Sequence, residues 1–295
     1  MHVSLRIYLL VFFLLCANSV QAREHSISFI MPCYNCADKV YKAIDSIYAQ
    51  YIAHPFEVIC CDDGSTDSTL LVLRRCKKRY PTLKIAKHKK NRGAGAAANT
   101  CIKYAQGDLL FRLDADNMLA EPEHDTTNRL VALLDETGCD AAMVENMVLF
   151  ENEKEIKTVL QYQAENNICD LQHCITEVHN PAMSGNFLFT RASFDRVGGY
   201  PEDHGSDTFR FGFELYATGG RVAILPNSFY WHFYNPHGYW WREQRTGNND
   251  IKALETVLRY KHLFDARTQK NLERAVRKET TLFQLIHKKL IKQRQ

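Results

Sequence analysis

From residue 26 onward, short apolar runs alternate with segments whose apolar residues recur at helical spacing. Residues 26–31 (SISFIM) predict a strand, residues 37–50 a helix with Val40, Ile44 and Ile47 on one face, and residues 56–61 (FEVICC) a second, buried strand. The alternation continues with a helix over 68–80, a strand over 83–87, a helix over 94–105 and a strand over 109–113 (LLFRL). Repetition at this spacing implies right-handed crossovers and a mostly parallel, Rossmann-like α/β sheet covered by helices on both faces. Beyond Asp140 the order changes to short strands (AAMVENMVLF, NFLFT, RVAIL, SFYWHFY) with helices between, which predicts an extension of the same sheet. Residues 250–295 predict a helical close. There is no internal repeat.

The first 22 residues stand apart from this pattern. Arg6 precedes an apolar run at 7–17 (IYLLVFFLLCA), and Val20-Gln21-Ala22 supplies small residues before a possible cut. Eleven apolar residues fall short of the roughly 20 that a spanning helix needs, so a cleaved signal or a short uncleaved anchor is expected. In 295 residues, 45% are hydrophobic and 24% charged, which excludes a disordered or collagen-like chain. The surplus of 37 Lys and Arg over 34 Asp and Glu is too small to make nucleic acid the expected partner. Ten cysteines are too dilute for a disulfide-stapled domain; removing Cys16 with a signal leaves an odd number, which points to reducing surroundings.

Polar residues cluster where the predicted strands end: Pro32-Cys33-Tyr34-Asn35, Asp62-Asp63-Gly64-Ser65 and Asp114-Ala115-Asp116-Asn117. In an open parallel sheet the carboxyl ends of the strands line the ligand crevice, so three distant segments converge on one site. Two carboxylates two residues apart, Asp114 and Asp116, can face one side and hold a divalent cation, which neutralises phosphate oxygens; a diphosphate ligand fits. A rival lies in residues 93–98 (GAGAAA), which imitate a dinucleotide loop, with Asp114 about 20 residues on. That fingerprint belongs directly after the first strand of its unit. Here Lys89-Lys90-Asn91-Arg92 intervenes and Asp62-Asp63 stays unexplained, so an oxidoreductase is set aside.

Together these segments, with Asn91-Arg92-Gly93 and Ala98-Asn99, resemble the family-2 glycosyltransferases of GT-A fold across residues 27–235. The resemblance implies a nucleotide-sugar donor, UDP-linked, held by Pro32, Tyr34, Asn35, Asp62, Asp63, Asn91, Gly93, Asn99 and Asp114. It also implies a divalent cation, Mn or Mg, on Asp116, and transfer with inversion in a hexosyltransferase-like enzyme. One departure stands out. The family run Ala-Arg-Asn is here Ala97-Ala98-Asn99, so an arginine that helps hold the nucleotide is missing, and Arg92 is the nearby substitute.

The second half is expected to supply the acceptor side. Ser184-Gly185-Asn186-Phe187, then Gly198-Gly199-Tyr200, then an acidic residue before a helix over 209–217 resemble the family's acceptor region. A base must take the proton of the attacking hydroxyl, and Glu202, Asp203 and Asp207 are candidates. Asp207 is preferred by its spacing to Gly219 and the strand over 221–225; a plain helix cap is the alternative. His232, after Phe229-Tyr230-Trp231, is the histidine expected to complete the metal site in such enzymes, or else packs in the core. Tyr239-Trp240-Trp241 reads as an aromatic loop that could stack on a sugar. The Gln-x-x-Arg-Trp signature of processive relatives is absent, implying single transfer.

The expected organisation is a signal or short anchor at 1–22, a GT-A domain at 26–240 and a basic helical extension at 241–295. Cys33 and Cys36 form a C-x-x-C without a second pair at zinc spacing, and adjacent Cys60 and Cys61 face opposite ways as core residues. The tail from 265 carries nine Lys and Arg against three acids, suited to an anionic membrane or to solvent. The acceptor is a glycan, lipid-linked or protein hydroxyl, and the enzyme is expected to be membrane-associated or in the secretory pathway. The alternative function is a catalytically silent GT-A-like protein that binds a nucleotide or glycan.

Overall fold

The computed structural model describes residues 24–151, 154–160, 165–171, 186–234 and 238–277. The proposed signal or anchor lies outside them, as do the end of the basic tail, Ser184, Gly185, Pro236 and His237. The first half alternates as its apolar pattern dictates: β1 (Ile27–Cys33), α1 (Val40–Tyr48), β2 (Phe56–Asp62), α2 (Thr69–Arg79), β3 (Lys84–Lys87), α3 (Ala94–Tyr104) and β4 (Leu109–Arg112). Next come β5 (Asn117–Leu119), α4 (Thr126–Thr137), β6 (Ala141–Glu151), β7 (Lys154–Leu160), β8 (Ile168–Cys169) and β9 (Phe187–Thr190). The chain closes with α5 (Arg191–Val197), α6 (Asp207–Ala217), β10 (Val222–Phe233), α7 (Tyr239–Thr246), α8 (Asn248–Arg259) and α9 (Ala266–Val276).

All strands join one sheet, ordered β3-β2-β1-β4-β9-β6-β10-β5, with β7 on β6 and β8 on β10. The expected extension of one sheet is therefore what forms. It is more mixed than the strand-helix repeat predicts. β1, β2, β3 and β4 are parallel, as are β6 and β10, but β9 runs antiparallel between β4 and β6.

Side chains alternate across the sheet with period two. Ile27, Phe29, Met31, Val58 and Cys60 pack with α1, α2 and α4, whereas Ile30, Ile59 and Cys61 pack with α3, α6, α8 and α9. Cys60 and Cys61 thus face opposite layers, and all eight described cysteines are buried free thiols. β10 is one long strand where two short ones were expected. Pro226, which cannot donate to a ladder, sits in a bulge, where the pairing with β6 jumps from Leu225–Val144 to Phe229–Asn146. Residues 239–241, expected in a loop, form the first turn of α7. Among the described residues no helix is long and apolar enough to cross a membrane.

Candidate active site

The loops after β1 and β2 are stapled to each other. Asn35 adopts a left-handed backbone (φ 49°), and its side-chain carbonyl accepts the Thr66 amide at 2.8 Å while its own amide donates to Ser65 Oγ at 3.1 Å. Asp67 accepts the amides of Ala37 at 3.2 Å and Thr69 at 2.9 Å, joining the loop before α1 to the start of α2. Burial works against its ionisation, but hydrogen bonds from Thr69 and Ala37 hold Asp67 below the usual carboxylate range. Pro32 is in register with Cys61 at the end of β1, and Tyr34 beyond it is 38% exposed, open to a flat ligand. Asp62 is 1% exposed; one oxygen accepts the Ser65 amide, and the other is buried without a partner.

Asp63 is engaged on both oxygens. Its carboxylate accepts the backbone amides of Arg92 (3.0 Å) and Gly93 (2.8 Å), and His88 Nδ1 lies 2.6 Å away. The other ring nitrogen of His88 meets Thr100 Oγ1 at 2.8 Å. Asp63 and the buried His88 therefore shape the loop that carries Asn91 and Gly93, and contact between the two loops is so close that a Cβ on Gly64 would lie 2.6 Å from the Lys90 carbonyl carbon. Asn99 is held by the Tyr200 segment. Its amide donates to Tyr200 O (2.9 Å) and Glu202 Oε1 (3.2 Å) and its carbonyl accepts the Tyr200 amide, while Arg92 pairs with Glu202 at 2.7 Å. Arg92, the expected substitute for the missing arginine, is thus committed to Glu202. Gly95 completes this seam, since any Cβ there would sit 2.0 Å from Pro201 O.

At the end of β4 the two halves meet through a buried arginine. Arg112 donates from Nε to Asp114 Oδ1 at 2.9 Å and from Nη1 to Asp207 Oδ2 at 2.8 Å, with its guanidinium 4.9 Å from the centre of the Tyr200 ring. Burial pushes the Asp114 carboxyl up; the Arg112 charge opposes this, and the charges of Asp116 and Asp207 add to it. Asp207 opens α6 in its first turn, so the donor motif and the expected base are tied to one cation. The other acids are spent elsewhere: Glu202 on Arg92 and Asn99, Asp203 on Arg210 and Lys252.

The short strand β5 brings the Asp-x-Asp segment and His232 together. His232 is opposite Asn117 in the antiparallel pairing of β10 with β5, and Phe233 donates its amide to Asp116 O at 2.8 Å. Asn117 donates to Asn186 Oδ1 at 3.0 Å, so its own carbonyl faces His232 Nδ1, at 2.5 Å. A carbonyl accepts only from a protonated nitrogen, so in the neutral ring Nε2 of His232 carries the lone pair, the usual state of a metal-bound imidazole. The carboxylate of Asp116 has no hydrogen-bond partner among the described residues, and no three acidic, histidine or cysteine side chains meet there at metal distance. One free carboxylate and one free imidazole nitrogen fit a divalent cation whose other positions are filled by donor phosphates.

The sequence assigned no role to His88 or Arg112, and placed Asn117 and Asn186 only as members of their clusters. Arg112 had a visible signal, a lone charge inside the apolar run LLFRL. The others became visible only through pairings across 12 to 115 residues.

A Rossmann-like sheet with nucleotide-side loops on β1, β2 and β4 and an acidic helix start on the far side is the GT-A glycosyltransferase fold. It is shared with S. aureus TarS in complex with UDP (18% identical, TM-score 0.63, covering 84% of this chain and 69% of that one). The mannosyltransferase PcManGT from Pyrobaculum calidifontis, in complex with GDP-Man and Mn2+, is also similar (21% identical, TM-score 0.61, covering 85% and 71%). The chain belongs to glycosyl transferase family 2, whose model matches residues 28–198. Curated relatives include a chondroitin synthase of Escherichia coli, 36% identical over 97 residues, and a poly(ribitol-phosphate) beta-glucosyltransferase of Bacillus spizizenii, 36% identical over 95. The matches span 33% and 32% of this chain but only 14% and 15% of those relatives.

Proposed function

We infer that this chain transfers a single sugar from a nucleotide-sugar donor, UDP-linked, to an acceptor hydroxyl, with inversion and with Mn or Mg as cofactor. The carrying observation is the Arg112 bridge, which fixes Asp207 beside the donor motif at Asp114. Tyr34 and the unpartnered oxygen of Asp62 are suited to the base and its imino or ribose donors. Asp116 and His232 would hold the cation, which when bound neutralises the leaving diphosphate.

Asp207 has Oδ2 occupied by Arg112, while Oδ1 carries no partner among the described residues and can accept the acceptor's proton. Arg112 orients that carboxylate, and the hydroxyl attacks as its proton passes to Oδ1. Direct displacement from the side opposite the diphosphate inverts the anomeric carbon. The ligands of the similar structures, UDP in TarS and GDP-Man with Mn2+ in PcManGT, support the donor class.

The test is thermal stabilisation by a panel of nucleotide sugars with and without Mn. A shift with UDP-sugars that needs Mn is expected, and it should vanish in Asp116→Asn with the fold intact. Binding by that variant at wild-type metal affinity would sink the assignment. A silent nucleotide- or glycan-binding protein is the second reading, favoured by the absent arginine at Ala98 and by Arg92 being tied to Glu202; it requires binding without metal-dependent hydrolysis of the donor. The acceptor class is a glycan, lipid-linked or protein hydroxyl. The apolar run at 7–17 supports a membrane-held or secretory location; a fully soluble mature protein beginning at Arg23 would remove the anchor.

A further inference from the structure

The charge of the chain is close to balanced, but its distribution is not. Between Asp67 and Asp108 there is no acidic residue, and 11 of the 37 Lys and Arg lie there, so the remaining 26 face all 34 acids. The fold gathers this stretch at one edge of the sheet, where β3 is the terminal strand and α2 packs beside it, held by Lys77 Nζ donating to Leu83 O at 2.7 Å. On α2, Leu71, Arg74, Arg75 and Lys78 occupy one exposed stripe at i, i+3, i+4 and i+7. Lys87, Lys89 and Lys90 extend the stripe along the end of β3. Arg74, Arg75, Lys78, Lys87, Lys89 and Lys90 make no ion pair with any described residue, whereas Lys84 is paired with Glu57 and Arg92 with Glu202.

We propose that this face, built from α2 and the β3 edge, docks the domain on an anionic phospholipid surface. Six unneutralised cations on α2, β3 and the loop that follows it repel one another in the free protein and gain from a plane of phosphate headgroups. Leu71, 49% exposed at the head of the α2 stripe, adds an apolar contact at headgroup depth. The apolar run at 7–17 ends seven residues before the described chain begins, so an anchored N-terminus would keep this face within reach of a bilayer. A polyanionic acceptor fits the position less well. β3 is three strand positions from β4, about 14 Å from Arg112 and the Asp207 it holds.

The proposal is independent of the transfer chemistry, and its test separates the two. Full-length protein is mixed with phosphatidylcholine vesicles with and without phosphatidylglycerol, at low and high salt, alongside the triple variant Arg74→Glu/Arg75→Glu/Lys78→Glu. Each cation near an anionic surface strengthens binding roughly fivefold, so the triple variant, which removes three cations and adds three anions, should lose at least about a hundredfold of the preference for anionic vesicles. Its donor hydrolysis in detergent should match wild type, since none of the three touches the site. An undiminished preference in that variant, or its loss only in Arg267→Glu/Lys270→Glu on α9, overturns the proposal. Binding to soluble dextran sulfate with no preference between the vesicles also overturns it, in favour of a polyanionic glycan.

Discussion

The half of the sheet formed by β1 to β4 and the half beyond it are held together by different means. In the first, each strand's loop grips its neighbour over about 30 residues of chain: Asn35 reaches Ser65 and Thr66, and Asp63 reaches Arg92 and Gly93. The second half contributes single side chains on elements far away in sequence, Asp207 at the start of α6 and His232 near the end of β10. The lesson concerns where function is vulnerable. Contacts among the first-half loops are redundant, whereas Asp207 depends on one arginine that both halves share.

Removing the base is the sharpest way to break that contrast. Asp207→Asn should lower turnover by about 10²–10⁴ while barely moving the Michaelis constant for donor, because the lost group serves the acceptor. Steady-state kinetics with either substrate varied decides it. An equal loss in Glu202→Gln or Asp203→Asn with Asp207→Asn near wild type moves the role upstream, and a product retaining the donor's anomeric configuration defeats direct displacement.

Arg112→Met attacks the shared ion itself. It leaves Asp114 and Asp207 facing each other without a cation, and breaking one side of such a buried pair costs about 3–5 kcal/mol, read as a lowered urea midpoint. Arg112→Lys should recover little of this, because one ammonium cannot span both carboxylates as the guanidinium fork does. Gly95→Ala tests the seam between α3 and the Pro201 segment. Its Cβ meets the Pro201 carbonyl, so a loss of about 1–3 kcal/mol is expected, where an ordinary helical Gly→Ala change would stabilise. A gain in stability would show that the seam is loose.

The smallest effect lies at the opposite end of the sheet. His25 is buried with Nδ1 2.5 Å from Asp108 and Nε2 3.0 Å from Asp135. Burial disfavours its charge, but hydrogen bonds and charge from Asp135 and Asp108 prevail and raise its pKa. A raised folded value means the stabilisation is complete below the unfolded pKa of roughly 6.5 and is lost as pH rises through the folded one. The melting difference between wild type and His25→Gln should therefore be largest in mild acid and shrink as the solution becomes alkaline. A difference independent of pH would assign His25 to packing alone.

Most of the first half was legible because its signals are local. A helix over 68–80 was expected and Thr69–Arg79 forms; a helix over 94–105 was expected and Ala94–Tyr104 forms. The clusters at Asn35, Asp62 and Asp114 do lie at strand ends, as the ligand rule for open sheets requires. What was illegible depends on register. Nothing in the run NML marks β5 as a partner for β10, so the meeting of Asn117 with His232 has no local signal. Asn99 and Arg92 sit in the nucleotide-side motif by sequence, yet fold onto the Tyr200 segment, because contacts with Glu202 join only when the second half is in place.

The bulge in β10 also works as a phase setter. Upstream of it, Val222 to Leu225 pack in the core against β6; downstream, the strand presents His232 opposite Asn117. Three residues, Pro226, Asn227 and Ser228, stand against the single Glu145, whose carboxylate accepts the Asn227 amide at 3.0 Å while its own amide donates to Ser228 Oγ at 3.1 Å. Deleting one residue there would bring Phe233 into the place of His232 and turn every later side chain to the other face. Variation in length at this point is therefore closed to the protein as long as the histidine is needed, although residues 226–228 touch no part of the site.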